Sequence, residues 1–313
     1  MNINQLEYLR ELCNSGSFSA AAENLGITQP ALSLQIQKLE EELDFKLIDR
    51  TKRPLKLTDE GAVFYEKTVD ILQQIERLKD LSLELGEQIK GNLRVGIIPT
   101  VAPYLVPLFT QKLKTSYPEL QIEVFELKTE EIVDELKMGK LDCGIISTPV
   151  SMLNIHTEPL FYERFYAYVS VKHPLASSEK LDVDEVDKND IWYLEEGNCF
   201  QNQVNSICKI NYQKKAAQQL VYRSSSIESL RRIVEHECGV TFVPELATIN
   251  IPAEQEEMIK ELTKEEPARE ISMVTVKKPA RERQVAALQT VIRESIPKRM
   301  QQKPEGWIVD TML

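Results

Sequence analysis

Residues 18–43 read FSAAAENLGITQPALSLQIQKLEEEL, and this stretch has the pattern of two short helices joined by a tight turn. The small side chains of residues 20–22 allow two helices to approach closely, and Gly26 permits a sharp turn of the backbone. Thr28 can cap the second helix through its hydroxyl, and Pro30 is tolerated in a first helical turn. The spacing predicts a helix-turn-helix whose second helix runs to about Leu43.

The outer side of the second helix has side chains that suit contacts with DNA. Glutamine can bind adenine through two hydrogen bonds, serine and threonine can reach bases or phosphates, and an alanine methyl can meet the methyl group of thymine. Basic residues just beyond the helix suit contacts with flanking phosphates. The alternative is an ordinary surface helix followed by a solvated run of charges. The candidate DNA-binding residues are Thr28, Gln29, Pro30, Ala31, Ser33, Gln37, Lys38, Arg50, Lys52 and Arg53.

The overall charge gives this hypothesis no support. The chain has a net charge of −11 at pH 7, and residues 1–90 contain 11 Lys and Arg against 16 Asp and Glu. Basic character is confined to residues 46–56, where five Lys or Arg accompany Asp49 as the single acidic residue. DNA binding therefore rests on that segment and on the geometry of the helices, and not on a general attraction to polyanions.

Residues 58–89 are predicted to form one long helix that Thr58 caps. Apolar and small side chains recur there at alternating steps of four and three residues, which is typical of a helix that pairs with another helix. Packing against its own domain is the alternative, but the length of this seam and its place between two domains favour a dimer. The seam positions are Phe64, Thr68, Ile71, Ile75, Leu78, Ser82, Leu85 and Ile89.

From residue 92 onward, strand and helix patterns alternate, beginning with a βαβαβ run over residues 93–147. Such a run predicts a parallel sheet covered by helices. A second set follows, with strands predicted at 165–171, 191–194, 220–223, 240–243 and 271–276, and helices at 199–210, 226–236 and 282–295. Two such α/β lobes usually bind a ligand in the cleft between them. The tail after Pro297 has no strong pattern.

The predicted organisation has three parts. A winged helix-turn-helix domain, all-α with a small β wing, covers residues 1–58, and a linker helix covers 59–90. An α/β domain of two lobes covers 91–313, with lobe I at about 91–161 and 269–313 and lobe II at about 162–268. A length of 313 residues is consistent with two or three domains.

Several classes of protein are excluded by composition. No apolar stretch approaches the length of a membrane span, and the charged Glu7, Arg10 and Glu11 do not fit a secretory signal. The five cysteines are spread thinly, with no Cys-x-x-Cys pair, so neither a disulfide framework nor a zinc site is predicted. We expect a cytoplasmic protein that contacts no membrane and carries no metal ion or cofactor.

Residues 1–90 resemble the DNA-binding and linker region of LysR-type transcriptional regulators. The likeness is carried by FSAAA at 18–22, LGITQPALS at 25–33, QIQKLE at 35–40, and RT at 50–51, LT at 57–58 and Gly61. Leu34 departs from the pattern, because many relatives have Arg there. The resemblance implies a homotetramer, assembled as a dimer of dimers, that binds pseudo-palindromic promoter double-stranded DNA and acts with RNA polymerase. It also implies a two-lobe regulatory domain like the periplasmic binding proteins.

Cys199 and Cys208 lie nine residues apart in a segment whose apolar residues have helical spacing. A helix rises about 1.5 Å per residue, so their Cα atoms would be roughly 13–14 Å apart, whereas a disulfide needs about 7 Å or less. The thiols can therefore meet only if the segment unwinds. A helix N-terminus would favour the Cys199 thiolate. The alternative is that both are inert packing residues, as we expect of Cys13, Cys143 and Cys238.

Residues 92–276 resemble the peroxide-sensing regulators of the LysR type, the OxyR group. The likeness is carried by IIPTV at 97–101, PYL at 103–105, GKLDC at 139–143, ESLR at 228–231 and the sequence around Cys199. In that group hydrogen peroxide oxidises one cysteine to a sulfenic acid, and a second cysteine attacks it to form a reversible disulfide. By position these are Cys199 and Cys208.

The same resemblance implies a peroxide pocket formed by Thr100, Thr129 and Arg269. Hydroxyl groups can orient peroxide, and a guanidinium can stabilise negative charge on the sulfur or the leaving oxygen. Capping of helices is the alternative role of both threonines, and the two roles can coexist. Asn198 departs from the group, in which His commonly precedes the reactive cysteine. The resemblance implies an activator of oxidative-stress genes that a thiol reductant resets.

Three other functions remain as alternatives. The first is a LysR-type regulator that binds a small metabolite in the cleft between its lobes. The second is a thiol peroxidase that uses Cys199, although such an enzyme does not need the amino-terminal DNA-binding region. A free-standing solute-binding protein is the least favoured, because no export signal is present.

Overall fold

Three short helices form the amino-terminal core. The structure is a computed structural model. It describes residues 1–84, 88–150, 154–195, 198–209, 222, 224–263, 266–277 and 279–311, except the side chains of 76, 77 and 79–84. The helices are α1 (Ile3–Ser15), α2 (Phe18–Asn24) and α3 (Gln29–Leu43), and α2 and α3 lie at the places predicted for the helix-turn-helix. Their caps are Asn2, Ser17 and Thr28, whose side chains accept backbone N–H groups. The predicted helix-turn-helix is confirmed.

The wing follows as a two-stranded antiparallel ribbon of β1 (Ile48–Asp49) and β2 (Lys56–Leu57). Helix α4 (Asp59–Glu84) begins against it, and the hydroxyl of Thr58 accepts the N–H of Gly61. Any side chain at Gly61 would collide with the wing, because an added Cβ would lie 2.2 Å from the carbonyl oxygen of Leu47. Glycine at this position therefore lets the wing lie directly on the first turn of α4.

The long helix is shorter than its sequence predicts. Helix α4 is described as far as Glu84, and Ile89, the last residue of the predicted helix, lies outside any helix. The predicted seam positions Ser82 and Leu85 lie outside the described side chains. Within the described part of the seam, Ile71 and Leu78 are exposed, with 44% and 71% of their surface accessible. Thr68 is buried instead, so the seam is only partly free to meet another helix.

The first lobe is built on three parallel strands in the order β4 (Leu120–Glu126), β3 (Gly91–Ile97), β5 (Cys143–Thr148). Helices α5 (Ala102–Ser116) and α6 (Thr129–Lys137) connect them, as the βαβαβ pattern predicts. The inward side chains of β3 are fully buried, and α10 (Glu282–Ser295) packs on α5. This lobe holds one continuous apolar core.

Two long antiparallel strands break the predicted parallel order. Strand β10 (Ala268–Val276) lies antiparallel between β5 and β6 (Ile155–Val169), so the sheet is mixed, and the parallel order predicted for residues 93–147 does not extend beyond β5. The sequence pattern starts β6 only at residue 165, because its first ten residues carry a proline and several charges. Those residues pair with β10, and the rest of β6 continues into the second lobe.

The second lobe contains the other half of β6 with β7 (Lys180–Leu181), β8 (Val240–Pro244) and β9 (Ile259–Leu262). Its helices are α7 (Cys199–Ile207), α8 (Ile227–His236) and the short α9 (Ala253–Glu256). The strand predicted at 191–194 was wrong, since Ile191 makes only an isolated bridge to Val240. The strand predicted at 220–223 lies outside the described residues, apart from residue 222.

None of the helices in the described ranges is long and apolar enough to cross a membrane.

Candidate functional site

Cys199 is the first residue of α7 and lies in the interior of the protein, with 6% of its surface exposed. Asn198 caps the helix, and its side-chain oxygen accepts the N–H of Phe200 at 3.0 Å. The free N–H groups at a helix start favour a thiolate. The predicted position of Cys199 at a helix N-terminus is therefore confirmed, and Asn198 serves there as a cap.

Thr129 is the side chain that meets the thiol directly. Its hydroxyl oxygen lies 3.1 Å from the sulfur of Cys199, and both side chains are buried. Burial raises the pKa of the Cys199 thiol, while the Thr129 hydrogen bond lowers it, Glu130 raises it and the charge of Arg269 lowers it. The thiol is therefore mostly protonated at neutral pH, and the surrounding groups decide how readily it ionises.

Arg269 is fully buried on β10 beside the same helix. Its Nη1 donates to the hydroxyl of Thr100 at 3.0 Å, and its Nη2 donates to the Thr100 carbonyl at 3.2 Å. The guanidinium lies over the ring of Phe200, 4.8 Å from the ring centre. Arg269 thereby links Thr100 to the residue that follows Cys199, and the three candidate pocket residues form one cluster with Cys199.

Helix capping does not explain the two threonines. The cap of α5 is Val101, and the cap of α6 is Lys128, so neither Thr100 nor Thr129 holds a cap position. Their hydroxyls instead bind Arg269 and Cys199. The capping interpretation was wrong, because the cap of each helix lies one position away from the threonine: Val101 follows Thr100, and Lys128 precedes Thr129.

Glu163 is a member of the cluster that the sequence analysis missed. It faces Arg269 across the β6–β10 pair, and its Oε1 accepts Nε at 2.8 Å and lies 2.7 Å from Nη2. Both side chains are fully inaccessible to solvent. The signal was hidden because Glu163 lies in the half of β6 that the pattern did not identify as a strand.

An exposed ion pair adds a cation near the cluster. Lys128 Nζ lies 2.7 Å from a carboxylate oxygen of Glu195, four residues before Cys199. The sequence alone places two acidic residues just before Cys199, which would disfavour a thiolate. Lys128 offsets the charge of Glu195, while Glu196 lies outside the described residues.

Cys208 caps the opposite end of α7 and is also buried. Both thiols are free, and the rise of the helix places the Cα atoms of the two cysteines about 13 Å apart. Burial raises the pKa of Cys208 to about 12, with Lys188 lowering it and Asp184 raising it. Cys208 is consequently unreactive while α7 is coiled, since the thiolate is the attacking form.

The other three cysteines differ from one another. Cys143 is buried on β5, and Cys13 is half-buried, which suits the expected packing role. Cys238 is exposed, so its expected place in a core was wrong. It follows the end of α8, where the chain turns before Gly239, and apolar neighbours in sequence do not bury a turn residue. Among the described residues no group of His, Cys, Asp and Glu could hold a metal ion.

The candidate DNA-binding residues are nearly all accessible at the surface of the amino-terminal domain. Ser33 is half-buried, and the other candidates are exposed. Leu34, also on α3, exposes 50% of its surface. The exposed candidates are Thr28, Gln29, Pro30, Ala31, Gln37, Lys38, Arg50, Lys52 and Arg53.

A buried carboxylate joins the wing to α3, the second helix of the helix-turn-helix. Glu40, 2% exposed, accepts the N–H groups of Leu47 at 2.9 Å and Ile48 at 3.3 Å. Its other oxygen lies 3.1 Å from Lys46 Nζ and 3.6 Å from Arg50 Nη2. Arg50 also lies over the ring of Phe18, 5.3 Å from its centre. Glu40 therefore holds the wing and directs Arg50, a role that the sequence analysis missed.

Two family descriptions match this chain. "Bacterial regulatory helix-turn-helix protein, lysR family" matches residues 3–62, and "LysR substrate binding domain" matches residues 86–297. The chain belongs to the LysR family of transcription regulators.

Curated relatives of this LysR-family regulator extend along most of its length. It is 34% identical over 250 residues to the hydrogen peroxide-inducible genes activator of Haemophilus influenzae, covering 80% of this chain and 82% of the relative. It is 32% identical over 277 residues to the DNA-binding transcriptional dual regulator OxyR of Escherichia coli K12, covering 88% and 89%. The predicted resemblance to the OxyR group is confirmed.

Solved structures show the same architecture. The chain matches full-length OxyR from Pseudomonas aeruginosa, determined with a cysteine-to-aspartate substitution, at a TM-score of 0.82 and 27% identity. The match covers 97% of this chain and 99% of the other. Reduced OxyR from Porphyromonas gingivalis matches at a TM-score of 0.62 and 28% identity, covering 69% and 99%. The predicted winged helix-turn-helix, linker helix and two-lobe α/β domain are confirmed as the fold.

Two substitutions should shift the pKa of Cys199 in opposite directions. Thr129→Val removes the hydrogen bond that lowers this pKa, so the pH midpoint of the alkylation rate of Cys199 should rise. Glu130→Gln removes a charge that raises it, so the midpoint should fall. Alkylation by iodoacetamide, followed by peptide mass spectrometry across pH, measures both. Glu123→Gln on β4 is the matched control and should leave the midpoint unchanged; equal midpoints in all variants would contradict this account.

The wing should depend on Glu40. Glu40→Ala leaves the N–H groups of Leu47 and Ile48 without their acceptor, which costs about 1–3 kcal/mol for each buried group. Urea unfolding of the full chain should show a decrease in the free energy of unfolding of that size for each of the two groups. A separate DNA-binding measurement should show weaker binding. Glu41→Ala, at the exposed next position, should change the free energy of unfolding by less than about 0.5 kcal/mol. Similar losses in the two variants would show that Glu40 does not hold the wing.

Proposed function

We propose that this LysR-family regulator is a transcription factor that senses hydrogen peroxide through Cys199. The observation that carries the proposal is the buried cluster at the start of α7, where the sulfur contacts Thr129 and Arg269 binds Thr100 alongside. The cluster offers a nucleophile, two hydroxyls and a cation, which suits a small polar oxidant. Relatives named as hydrogen peroxide-inducible genes activators support the proposal.

The chemistry proceeds in two steps. The Cys199 thiolate attacks one peroxide oxygen, the O–O bond breaks, and hydroxide leaves to become water with one proton. The hydroxyls of Thr100 and Thr129 orient the peroxide, and Arg269 stabilises negative charge on the leaving oxygen. Cys208 then attacks the sulfenic sulfur, and a second water leaves. Two thiols lose two electrons and two protons in total, and one peroxide becomes two waters.

The second step cannot occur on an intact α7. The helix holds Cys199 and Cys208 about 13 Å apart, and a disulfide needs about 7 Å or less between Cα atoms. Formation of the disulfide and unwinding of α7 are therefore one event. We propose that residues near 199–220 rearrange and alter how the subunits engage DNA, although residues 210–221 lie outside the described part.

The assembly and partners belong to the same proposal. We propose boundaries at 1–58 for the DNA-binding domain, 59–90 for the linker and 91–313 for the regulatory domain, with lobes at 91–161 plus 269–313 and at 162–268. The linker helices pair, and two dimers form a tetramer on promoter DNA. The exposed Ile71 and Leu78 on α4 support the pairing. The proposed setting is the cytoplasm, with RNA polymerase and a thiol reductant as further partners.

DNA footprinting tests the proposal. Wild-type protein should change its promoter footprint after stoichiometric hydrogen peroxide, and Cys199→Ser should keep the reduced footprint. Peptide mass spectrometry of the same samples should find the Cys199–Cys208 crosslink only in wild type. Cys143→Ser, which removes a buried thiol outside the cluster, is the control and should respond like wild type.

Other outcomes would favour other functions. The same peroxide response in wild type and Cys199→Ser would remove Cys199 from the mechanism. If peroxide leaves both Cys199 and Cys208 as free thiols, and a small metabolite raises the thermal stability of the protein, the results would support a regulator that binds its ligand between the lobes. Continued turnover of peroxide with a thiol reductant, unaffected by deletion of residues 1–90, would indicate a peroxidase.

A further inference from the structure

The carboxy-terminal segment, residues 307–311, lies against the middle of the helix that carries both thiols. We propose that this segment is a positioning element of the redox reaction: it holds α7 coiled in the reduced protein and leaves its site when the disulfide forms. The inference rests on the proposed Cys199–Cys208 chemistry. It adds a part of the chain that neither the sequence pattern nor the family resemblance assigns to the switch.

The segment is anchored by backbone pairing next to the pocket arginine. The N–H of Ala268 donates to the Trp307 carbonyl at 2.9 Å, and the N–H of Val309 donates to the Ala268 carbonyl at 2.8 Å. Ile308 thus forms a parallel bridge with Ala268, the residue before Arg269. The segment extends the edge of β10 at the point where the cluster begins.

Two side chains of α7 bind the carbonyl groups of the segment. Gln203 Nε2 donates to the Val309 carbonyl at 2.9 Å and to the Ser147 hydroxyl at 3.2 Å. Asn202 Nδ2 donates to the Thr311 carbonyl at 3.3 Å. Both residues lie between the two cysteines, so these bonds hold the part of the helix that must unwind.

Apolar packing completes the contact. Val309 is fully buried and belongs to the same core cluster as Phe200, Val204 and Ile207 of α7. Thr311 is also fully buried, and its hydroxyl donates to the carbonyl of Pro149 at 2.6 Å. The segment is therefore an ordered part of the second lobe's core, with hydrogen bonds at both of its ends.

The disulfide between Cys199 and Cys208 cannot form while residues 307–311 remain docked on α7. Drawing the Cα atoms of Cys199 and Cys208 together from about 13 Å displaces residues 200–207, and with them the donors Asn202 and Gln203. The carbonyl groups of Val309 and Thr311 then lose their partners, and Val309 loses the apolar surface on which it packs. Because coupling between two equilibria is reciprocal, weaker docking of the segment must favour the disulfide.

Hydrogen exchange tests the release directly. In reduced wild-type protein, amides in the peptide covering residues 304–313 should be protected, since Val309 donates to Ala268. After peroxide has formed the crosslink, they should exchange about tenfold faster or more. Cys208→Ser, treated in the same way, should be oxidised at Cys199 without a bridge and should keep its protection.

The results separate this inference from the proposed function. A confirmed crosslink with unchanged protection of residues 304–313 would overturn the inference and leave peroxide sensing intact. No crosslink in wild type would overturn both. Loss of protection in Cys208→Ser would show that oxidation of Cys199, and not bridging, releases the segment, which also contradicts the inference.

Equilibration with glutathione tests the reciprocal effect. In this exchange one glutathione disulfide oxidises the two protein thiols and yields two glutathione thiols. Val309→Ala removes two buried methyl groups, so its equilibrium constant for the bridged form should rise by about tenfold. Val171→Ala is the matched control, because Val171 exposes 54% of its surface, and its constant should match wild type. An unchanged or lower constant for Val309→Ala would refute the coupling.

Discussion

The buried ion pair of Arg269 and Glu163 is the interaction on which the cluster depends. The two residues face each other on β10 and β6, and β6 continues from the first lobe into the second. Both charges are removed from water, so breaking the pair would leave an uncompensated charge at a cost of about 3–5 kcal/mol. The guanidinium is thereby fixed with respect to both lobes. Thr100 and Phe200 are arranged around it, and the position of Cys199 follows.

Because Arg269 is held in place, the part of the site that rearranges must lie elsewhere. Helix α7 can be that part. A helix of nine residues is too short to be stable by itself, because isolated helices below about 12–15 residues are marginal in water. Its coiled state is maintained by Phe200, Val204 and Ile207 in the core and by the hydrogen bonds of Gln203. The balance between the coiled and bridged states is therefore set by tertiary contacts, and these can be altered without changing either thiol.

The sequence predicted what local chemistry determines. Asn2, Ser17 and Thr28 cap their helices by bonds that reach only three residues, so the helix-turn-helix is confirmed almost residue by residue. Predictions failed where distant segments decide the structure. The first half of β6 is a strand because it pairs with β10, while residues 191–194 form no strand because their pairing with β8 is limited to one isolated bridge at Ile191.

The same division applies to the site. The cysteines and the three pocket residues were recognised from their resemblance to a group. A local rule offered helix capping as the alternative role of the threonines, and neither threonine holds a cap position. Glu163, Glu40 and the segment 307–311 left no pattern, since each acts through a partner more than five positions away. Val309 is an example: Ile308 before it is half-buried and Asp310 after it is exposed, and Val309 is buried by its pairing with Ala268 and by the core of the second lobe.

The weak basic character of the chain constrains how such a switch could act on DNA. The chain carries a net charge of −11, and Arg50 shares its charge with Glu40. The candidate phosphate contacts of one subunit are therefore confined mainly to the basic residues of 46–56, which limits the counterion release that one subunit can contribute. In the proposed tetramer, affinity for DNA comes from several α3 helices that bind at once. The gain in affinity from this multiple binding is lost when the spacing of the helices does not fit the DNA. A modest change in subunit geometry is then enough to alter promoter binding, without any change in the residues that contact bases.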